Sequence, residues 1–422
     1  MDERRMRGYR IFLYVTLVLT GCVMIFIYKK YVVDMVPDSY RVRKGEEEKI
    51  TFEVPVSATM AMPDSSYIET PVATSVSIVS GDAKSYTLDL KYMGIIPMKS
   101  ISLDVVSGQE VAISGMPVGI YVKTKGVLVI DTGSYVNHKG EEVCPADEIL
   151  QPGDCILKVN DVEVKGKRHF VNMIEGAEGE ELVLEILRNK EVSKVKVKPC
   201  LNEENIYKLG VWVRDSAQGI GTMSYITKAG KFAALGHGVN DADIGSLMEL
   251  KKGSLYETNI LGVRKADSST PGELTGVMTL DSTDYVGAIE ENTLCGIFGS
   301  LSEEYMKTER GKEFLGDCIA YPVALKQEVQ RGEAQIYCCM EEAPAFYDIT
   351  IDDVKYQSSG SKREIMLTIT DPQLLAKTGG IVQGMSGSPI VQNGKVVGVV
   401  THVLVKDSTR GYGIFIEEML EH

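Results

Sequence analysis

The sequence contains few histidines and has fewer basic than acidic residues. It contains five histidines and no CxxC or HExxH pattern, so a metal site has little to build on. Acidic residues outnumber basic ones by 59 to 45, which gives a net charge of −14, and no long lysine or arginine run occurs in the bulk of the chain. Such a surface repels nucleic acid. We therefore expect no metal, no other cofactor and no nucleic-acid partner.

The cysteines also lack the spacing of a small disulfide framework. Seven of the eight follow residue 31, and Cys338 and Cys339 are direct neighbours. An odd number of thiols at irregular spacing does not predict a set of bridges, so we expect buried or free thiols.

The N-terminus has the pattern of a membrane anchor. Four arginines, the last of them Arg10, precede an uncharged, mostly apolar run over residues 11–28, which Lys29 and Lys30 follow. As a helix this run is roughly 27 Å long, enough to cross a bilayer. No small-x-small cleavage site follows it, and the excess of positive charge lies before it. We predict a single-pass signal anchor over residues 1–35, an N-terminus in the cytoplasm and everything that follows outside it.

At 422 residues the chain has room for two or three domains. Residues 36–91 alternate short polar and apolar pieces, which predicts a short β-rich spacer or a small β module. Residues 200–422 consist of short β-type runs separated by glycine, with few helical signals, which predicts a β-barrel or sandwich. Asn393-Gly394 between two apolar runs predicts a two-residue hairpin of the type I′ kind.

Residues 92–199 resemble a PDZ domain. The resemblance rests on the sequence LQPGDCILKVND at residues 150–161, on a helical segment near residues 168–175 and on a closing hairpin that turns at Asn189-Lys190. It implies an α+β module with a groove in which a peptide adds as an extra strand, and a loop whose backbone N–H groups hold a terminal carboxylate. We place that loop at Val118, Gly119, Ile120 and Tyr121.

The segment from Gly384 to Pro389, GMSGSP, has the character of a serine-protease nucleophile loop. A serine hydroxyl needs a base to take its proton and backbone N–H groups to hold the oxyanion, and glycines on both sides leave the backbone free to supply them. We expect Ser386 to be the nucleophile and the N–H groups of Gly384 and Ser386 to form the oxyanion hole. The nucleophile elbow of α/β-hydrolases needs glycine where Ser388 stands, so a chymotrypsin-like arrangement fits better.

Three histidines share the C-terminal part of the chain with Ser386. His422 is the last residue, which leaves His237 and His402 as candidates for the base. His237 lies between glycines after an apolar run, and His402 lies within a predicted strand, where a structural role is more natural. We prefer His237 as the base. Asp371, Asp281 and Asp284 are candidates for the residue that orients it, and composition does not choose among them.

Taken together, the chain resembles the stage IV sporulation protein B family, the S55 serine peptidases of endospore-forming bacteria. The resemblance rests on the segments LGHG at residues 235–238, TGGIVQGMSGSPI at residues 378–390 and THV at residues 401–403, and on the order of anchor, PDZ domain and protease. It implies a chymotrypsin-like double β-barrel over residues 200–422, with Ser386, His237 and Asp371 as the catalytic residues.

The resemblance also implies a role in sporulation. The expected enzyme is made in the forespore and exported into the space between the forespore and mother-cell membranes. There it cleaves a regulatory membrane protein, which activates the processing of pro-sigma-K, and it also cleaves itself. Two other hypotheses remain open: an inactive, membrane-tethered PDZ adaptor that binds protein C-termini, and an esterase.

Overall fold

A computed structural model describes residues 3–28, 33, 36, 38–61, 67–81, 83–241, 243–266, 271–341, 343–356 and 363–422. Lys29 and Lys30, part of the predicted anchor, lie outside the described residues. The chain forms two compact units. Unit 1 comprises Met1–Gln109, Leu325–Gln330 and Lys355–Gly360, and unit 2 comprises Glu110–Ala324, Arg331–Val354 and Ser361–His422.

Unit 1 begins with the predicted apolar helix and continues as a β-sheet. Its elements are α1 (Glu3–Tyr28), β1 (Ser39–Arg43), β2 (Glu47–Ala61), β3 (Tyr67–Glu69), β4 (Ala73–Val79), β5 (Ser85–Tyr92) and β6 (Ile96–Val106). Residues 6–28 of α1 are long and apolar enough to cross a membrane, in agreement with the predicted single-pass anchor.

The sheet of unit 1 has the strand order β1-β6-β5-β2-β3, and β4 also pairs with β2. Buried and exposed residues alternate along β5, and the buried Leu88 and Leu90 join Ile50 and Leu103 in the core. The predicted β-rich spacer is therefore a folded module. Its sheet runs to Val106, so the predicted boundary at residue 92 falls at the turn between β5 and β6.

Unit 2 contains the remaining elements. Its strands are β7 (Glu110–Ile113), β8 (Pro117–Thr132), β9 (Tyr135–Val136), β10 (Glu142–Val143), β11 (Cys155–Val159), β12 (Val162–Glu163), β13 (Leu182–Arg188), β14 (Glu191–Val197), β15 (Cys200–Leu201), β16 (Tyr207–Lys208), β17 (Val211–Ile226), β18 (Lys231–Ala234), β19 (Leu250–Arg264), β20 (Glu273–Met278), β21 (Tyr285–Thr293), β22 (Gly296–Leu301), β23 (Ile319–Pro322), β24 (Gly332–Cys339), β25 (Pro344–Val354), β26 (Ile365–Ile369), β27 (Pro389–Gln392), β28 (Lys395–Leu404) and β29 (Asp407–Phe415). Its helices are α2 (Lys167–Glu175), α3 (Glu303–Lys307), α4 (Glu309–Gly316), α5 (Pro372–Thr378) and α6 (Ile416–Met419).

Unit 2 contains two six-stranded rings. The first runs β8-β19-β21-β22-β18-β17, and it closes because β17 pairs again with β8. Its interior holds Val122, Met223, Leu255 and Ile297, all fully buried. The second is the closed barrel β24-β25-β26-β29-β28-β27. This pair of barrels confirms the predicted chymotrypsin-like fold class.

The PDZ-like module is built on the C-terminal half of β8. Val127 and Leu128 of this strand pair with β11, and β13 and β14 continue the sheet, while α2 covers it through Phe170 and Ile174. The N-terminal half of β8 pairs with β17 and β19 of the first barrel. One strand thus belongs to both modules, so a boundary at residue 200 does not separate the PDZ-like module from the first barrel.

Candidate active site

The nucleophile loop lies between α5 and β27 and depends on glycine at position 387. Gly387 has φ +100°, and a Cβ there would lie 2.1 Å from the Thr222 carbonyl oxygen and 2.6 Å from the Leu235 nitrogen. A side chain at this position would clash with backbone atoms, and its residue would also be held at an unfavourable φ. This requirement explains one glycine of the GMSGSP motif.

Both barrels hold the loop in place. From β17, the Thr222 N–H donates to the Ser386 carbonyl oxygen at 2.9 Å, and Thr222 Oγ1 donates to the Gly384 carbonyl oxygen at 2.7 Å. From β28, the Val400 carbonyl oxygen accepts the Gly387 N–H at 2.7 Å. Because the carbonyl groups are held in this way, the N–H groups of the loop have fixed directions.

The two expected oxyanion-hole donors are unoccupied. Within the described residues, no hydrogen bond is formed by the backbone N–H of Gly384 or by that of Ser386. Both residues line the same cleft. Unpaired N–H groups beside a serine are the arrangement that stabilises a developing oxyanion.

A tight turn after β18 brings His237 to this cleft. Leu235 and Gly236 both have positive φ, +73° and +68°, which turns the chain sharply at the strand end. Leu235 is a residue with a side chain in the left-handed region, a strained conformation that is typical of functional sites. Gly238 is also tightly enclosed, because a Cβ there would lie 2.5 Å from the Thr293 carbonyl oxygen.

The tautomer of His237 is suited to a general base. Its Nδ1 lies 2.8 Å from the Gly238 carbonyl oxygen. A carbonyl oxygen only accepts, so Nδ1 carries the proton and the Nε2 lone pair remains available. Burial lowers the pKa of His237 below 6.5, an effect partly opposed by this hydrogen bond. The ring is therefore neutral at neutral pH.

Ser386 is not hydrogen-bonded to His237 in this structure. Its hydroxyl donates to the Thr401 carbonyl oxygen at 2.7 Å, and no bond to the imidazole is formed within the described residues. Transfer of the serine proton thus requires the hydroxyl to leave Thr401.

His402, the second candidate base, lies beside the first. The two ring centroids are 4.9 Å apart, and Nδ1 of His402 is buried without a hydrogen-bond partner within the described residues. Burial lowers the pKa of His402 to about 4, with smaller effects of His237 and Arg363. The strand pattern favours a structural role for His402, although His402 itself lies in the segment THV on which the family resemblance rests.

Asp371 caps a helix. Its Oδ1 accepts the N–H groups of Gln373 and Leu374 at 2.8 and 2.9 Å, and Pro372 occupies the first position of α5. Within the described residues it does not bond to His237 and does not line the cleft. The sequence did carry this signal, since aspartate before proline is a common helix start.

The two rival aspartates also lie elsewhere. Asp281 caps a short 3₁₀ turn by accepting the Ser282 N–H, and Asp284 forms an ion pair with Arg310 at 2.9 Å. Among the described residues, the structure therefore brings Ser386, His237 and His402 to one cleft, and none of the three aspartates.

The cleft between the barrels has a volume of about 1030 Å³ and is largely open. Ser386 and His237 share its wall with Thr401 and His402. No cluster of three metal-ligating side chains occurs in the part of the chain that the structure describes.

The predicted carboxylate-binding loop of the PDZ-like module is wrong in position. Val118, Gly119, Ile120 and Tyr121 lie within β8, paired on one edge with β17 and on the other with β19. Their N–H groups are directed to neighbouring strands, so they do not form a loop that can hold a carboxylate.

A different groove is present in this module. It has a volume of about 320 Å³ and lies between α2, through Phe170 and Ile174, and the segment Ile206–Val213. Within the described residues the N–H groups of Leu209 and Gly210 form no backbone hydrogen bond. The sequence LGVW at residues 209–212, an apolar segment around a glycine, is the signal that could have located it.

Two family profiles match parts of the chain. The profile of the SpoIVB peptidase S55 family matches residues 205–420, and that of a PDZ domain matches residues 140–188. No curated protein sequence matches the chain. A crystal structure of Rv3671c from M. tuberculosis H37Rv, an inactive serine-to-alanine mutant, is similar over 48% of this chain and 78% of that one, with 11% identity and a TM-score of 0.23.

The family match alone spans about half of the chain and contains both Ser386 and His237. It covers the second barrel and every strand of the first barrel except β8, and the PDZ match covers β11, α2 and β13. The chain belongs to the SpoIVB peptidase S55 family and is a serine peptidase with a PDZ domain.

Proposed function

We propose that this chain is a membrane-anchored serine endopeptidase in which Ser386 is the nucleophile and His237 the general base. One observation supports this most directly. Ser386, His237 and Gly384 line the same cleft, and both barrels hold the nucleophile loop by hydrogen bonds. Among the described residues, Nε2 of His237 and the N–H groups of Gly384 and Ser386 form no hydrogen bond. The helix α1 supplies the anchor.

The reaction begins when the Ser386 hydroxyl leaves Thr401 and attacks the scissile carbonyl while His237 Nε2 takes its proton. The N–H groups of Gly384 and Ser386 hold the oxyanion. His237 then gives the proton to the leaving amine, and water hydrolyses the acyl-enzyme by the reverse sequence. The Gly238 carbonyl keeps the proton of Nδ1 in place throughout.

We propose that Asp371 supports the reaction through α5 rather than at the imidazole. α5 ends at Gly379, directly before the nucleophile loop, so the cap fixes the helix that leads into the loop. The role of third catalytic residue, which the resemblance implies, has no support from a contact with His237 among the described residues.

Membership in the family supports a proposal for the substrate and the compartment. We propose that the anchor leaves the N-terminus in the forespore cytoplasm and the catalytic part between the two membranes. There the enzyme cleaves a regulatory membrane protein and thereby activates pro-sigma-K processing, and it also cleaves itself. The groove between α2 and residues 206–213 is the proposed site at which the PDZ domain binds peptide.

An inactive PDZ adaptor is the second candidate. The Ser386 hydroxyl donates its hydrogen bond to Thr401 and not to His237, and the side chain of Trp212 is exposed in the PDZ groove, where a peptide would bind. It predicts peptide binding without turnover.

Self-cleavage separates the two candidates. The full-length protein is purified in detergent as wild type, Ser386→Ala and the control Ser193→Ala, an exposed serine on β14, and fragments are identified by mass spectrometry. We expect the same fragments from wild type and Ser193→Ala and none from Ser386→Ala. Fragments from Ser386→Ala would exclude Ser386 as the nucleophile.

A further inference from the structure

The catalytic cleft has the opposite charge from the chain as a whole. The sequence carries a net charge of −14. Yet the charged side chains that line the cleft among the described residues are Arg214, Arg363 and Lys406, with no aspartate or glutamate. A basic cleft in an acidic protein attracts ligands of negative charge.

Two of these three cations are available to a ligand. Arg214 is already paired with Asp241 and Asp243, at 2.7 and 2.6 Å. Neither Arg363 nor Lys406 forms an ion pair with any described residue, and both are exposed. The Arg363 guanidinium lies 5.3 Å from the ring centroid of Tyr412, which orients it without neutralising it.

His402 adds a neutral donor near Arg363, whose charge contributes to the lowered pKa of the imidazole. It pairs with Tyr412 across β28 and β29, so the imidazole, Arg363 and Tyr412 form one group. Since Nδ1 of His402 is buried, Nε2 is the nitrogen that a ligand can reach. His402 directly follows Thr401, whose carbonyl oxygen accepts the Ser386 hydroxyl, so the group adjoins the nucleophile.

We propose that this group is a substrate-binding subsite for an acidic side chain, and that the enzyme prefers peptides with glutamate or aspartate beside the scissile bond. The inference rests on the proposed serine peptidase function and names its substrate class. A carboxylate accepts hydrogen bonds from Arg363 in bidentate geometry and from Lys406 and His402 Nε2. These charge-assisted bonds replace the water that the carboxylate loses on entry.

The empty subsite carries its charge on Arg363 and Lys406. Because the pKa of His402 is about 4, its imidazole is neutral at neutral pH and contributes a hydrogen-bond donor rather than a charge. A glutamine of the same shape keeps the packing but loses the charge attraction, which makes it the matched comparison for glutamate.

The first arm of the test is cleavage. Full-length wild type in detergent is incubated with a peptide library, and cut sites are identified by mass spectrometry. We expect Ser386-dependent cuts next to acidic residues and a kcat/KM about tenfold higher for a peptide with glutamate than for its glutamine counterpart. Arg363→Gln is expected to remove this preference and Arg363→Lys to retain part of it. Lys307→Gln, an exposed lysine on α3, serves as the control.

Ser386-dependent cuts without an acidic preference would overturn the subsite and leave the peptidase function standing. The second arm does not require turnover: fluorescence anisotropy compares the binding of the two peptides to full-length Ser386→Ala protein. We expect about tenfold tighter binding of the glutamate peptide at low salt, reduced by Arg363→Gln. Equal binding, or binding of neither peptide, would refute the subsite whether or not the wild type is active.

Discussion

The position of Asp371 leads to a prediction that distinguishes a helix-capping role of its carboxylate from a catalytic role. As the N-cap of α5 it accepts two backbone N–H groups, and its Oδ2 lies 3.4 Å from the Asp348 nitrogen. Asparagine caps helices about as well as aspartate, whereas alanine does not cap. Asp371→Asn therefore keeps the structural role and removes the charge, and Asp371→Ala removes both.

The magnitudes of the two roles differ widely. Loss of a capping side chain costs about 0.5–2 kcal/mol, and for a domain of this size each kcal/mol lowers Tm by roughly 2–4 °C. We expect Asp371→Ala to lower Tm by a few degrees and Asp371→Asn to leave it nearly unchanged. If the carboxylate instead oriented His237, the asparagine variant would lose roughly 10⁴-fold in kcat, because the wrong tautomer would be favoured.

The assay is kcat/KM on a fluorogenic peptide together with thermal unfolding, with Asp281→Asn as the control. The structure predicts that Asp371→Asn retains activity within a few-fold of wild type, and that Asp371→Ala loses activity and stability together. A large loss of kcat in Asp371→Asn at unchanged Tm would refute the capping account and restore the catalytic role that the family resemblance implies.

Two further predictions concern the loop and the base. Gly387→Ala places a Cβ 2.1 Å from the Thr222 carbonyl oxygen at φ +100°. We expect chemical denaturation to show a destabilisation of roughly 2–5 kcal/mol, together with loss of activity. The control Gly316→Ala, which has open space around its Cα, stays near wild type. Because burial lowers the pKa of His237 below 6.5, His237 stays neutral and active below that pH, and the acid limb of log kcat/KM against pH has its midpoint below 6.5. A midpoint at or above 6.5 would contradict the burial of the base.

Local signals in the sequence predicted local structure well. Asn393 and Gly394 have φ values of +52° and +73°, as the predicted type I′ hairpin requires, and Asn189 and Lys190 turn the PDZ hairpin in the same way. The apolar helix and the helix near residue 170 also lie where they were predicted. In each case a few neighbouring residues determine the backbone, so no distant contact is needed.

Pairings between distant residues were not predictable in this way. β8 serves both the PDZ domain and the first barrel, and no short pattern shows that one strand has two sets of partners. The carboxylate loop predicted at residues 118–121 was misplaced because these residues belong to the part of β8 that pairs with the first barrel. The site was predictable where the motif is local, as for Ser386, but the proximity of His402 to His237 depends on how the two barrels pack.

The central claim is that Ser386 is a nucleophile activated by His237. Full-length protein in detergent is treated with a fluorophosphonate, and intact mass and peptide mapping locate the adduct. The account predicts one adduct, on Ser386, in wild type and in Asp371→Asn, and strongly reduced labelling in His237→Ala. Absence of labelling in the folded wild type, or an adduct on another serine, would contradict it.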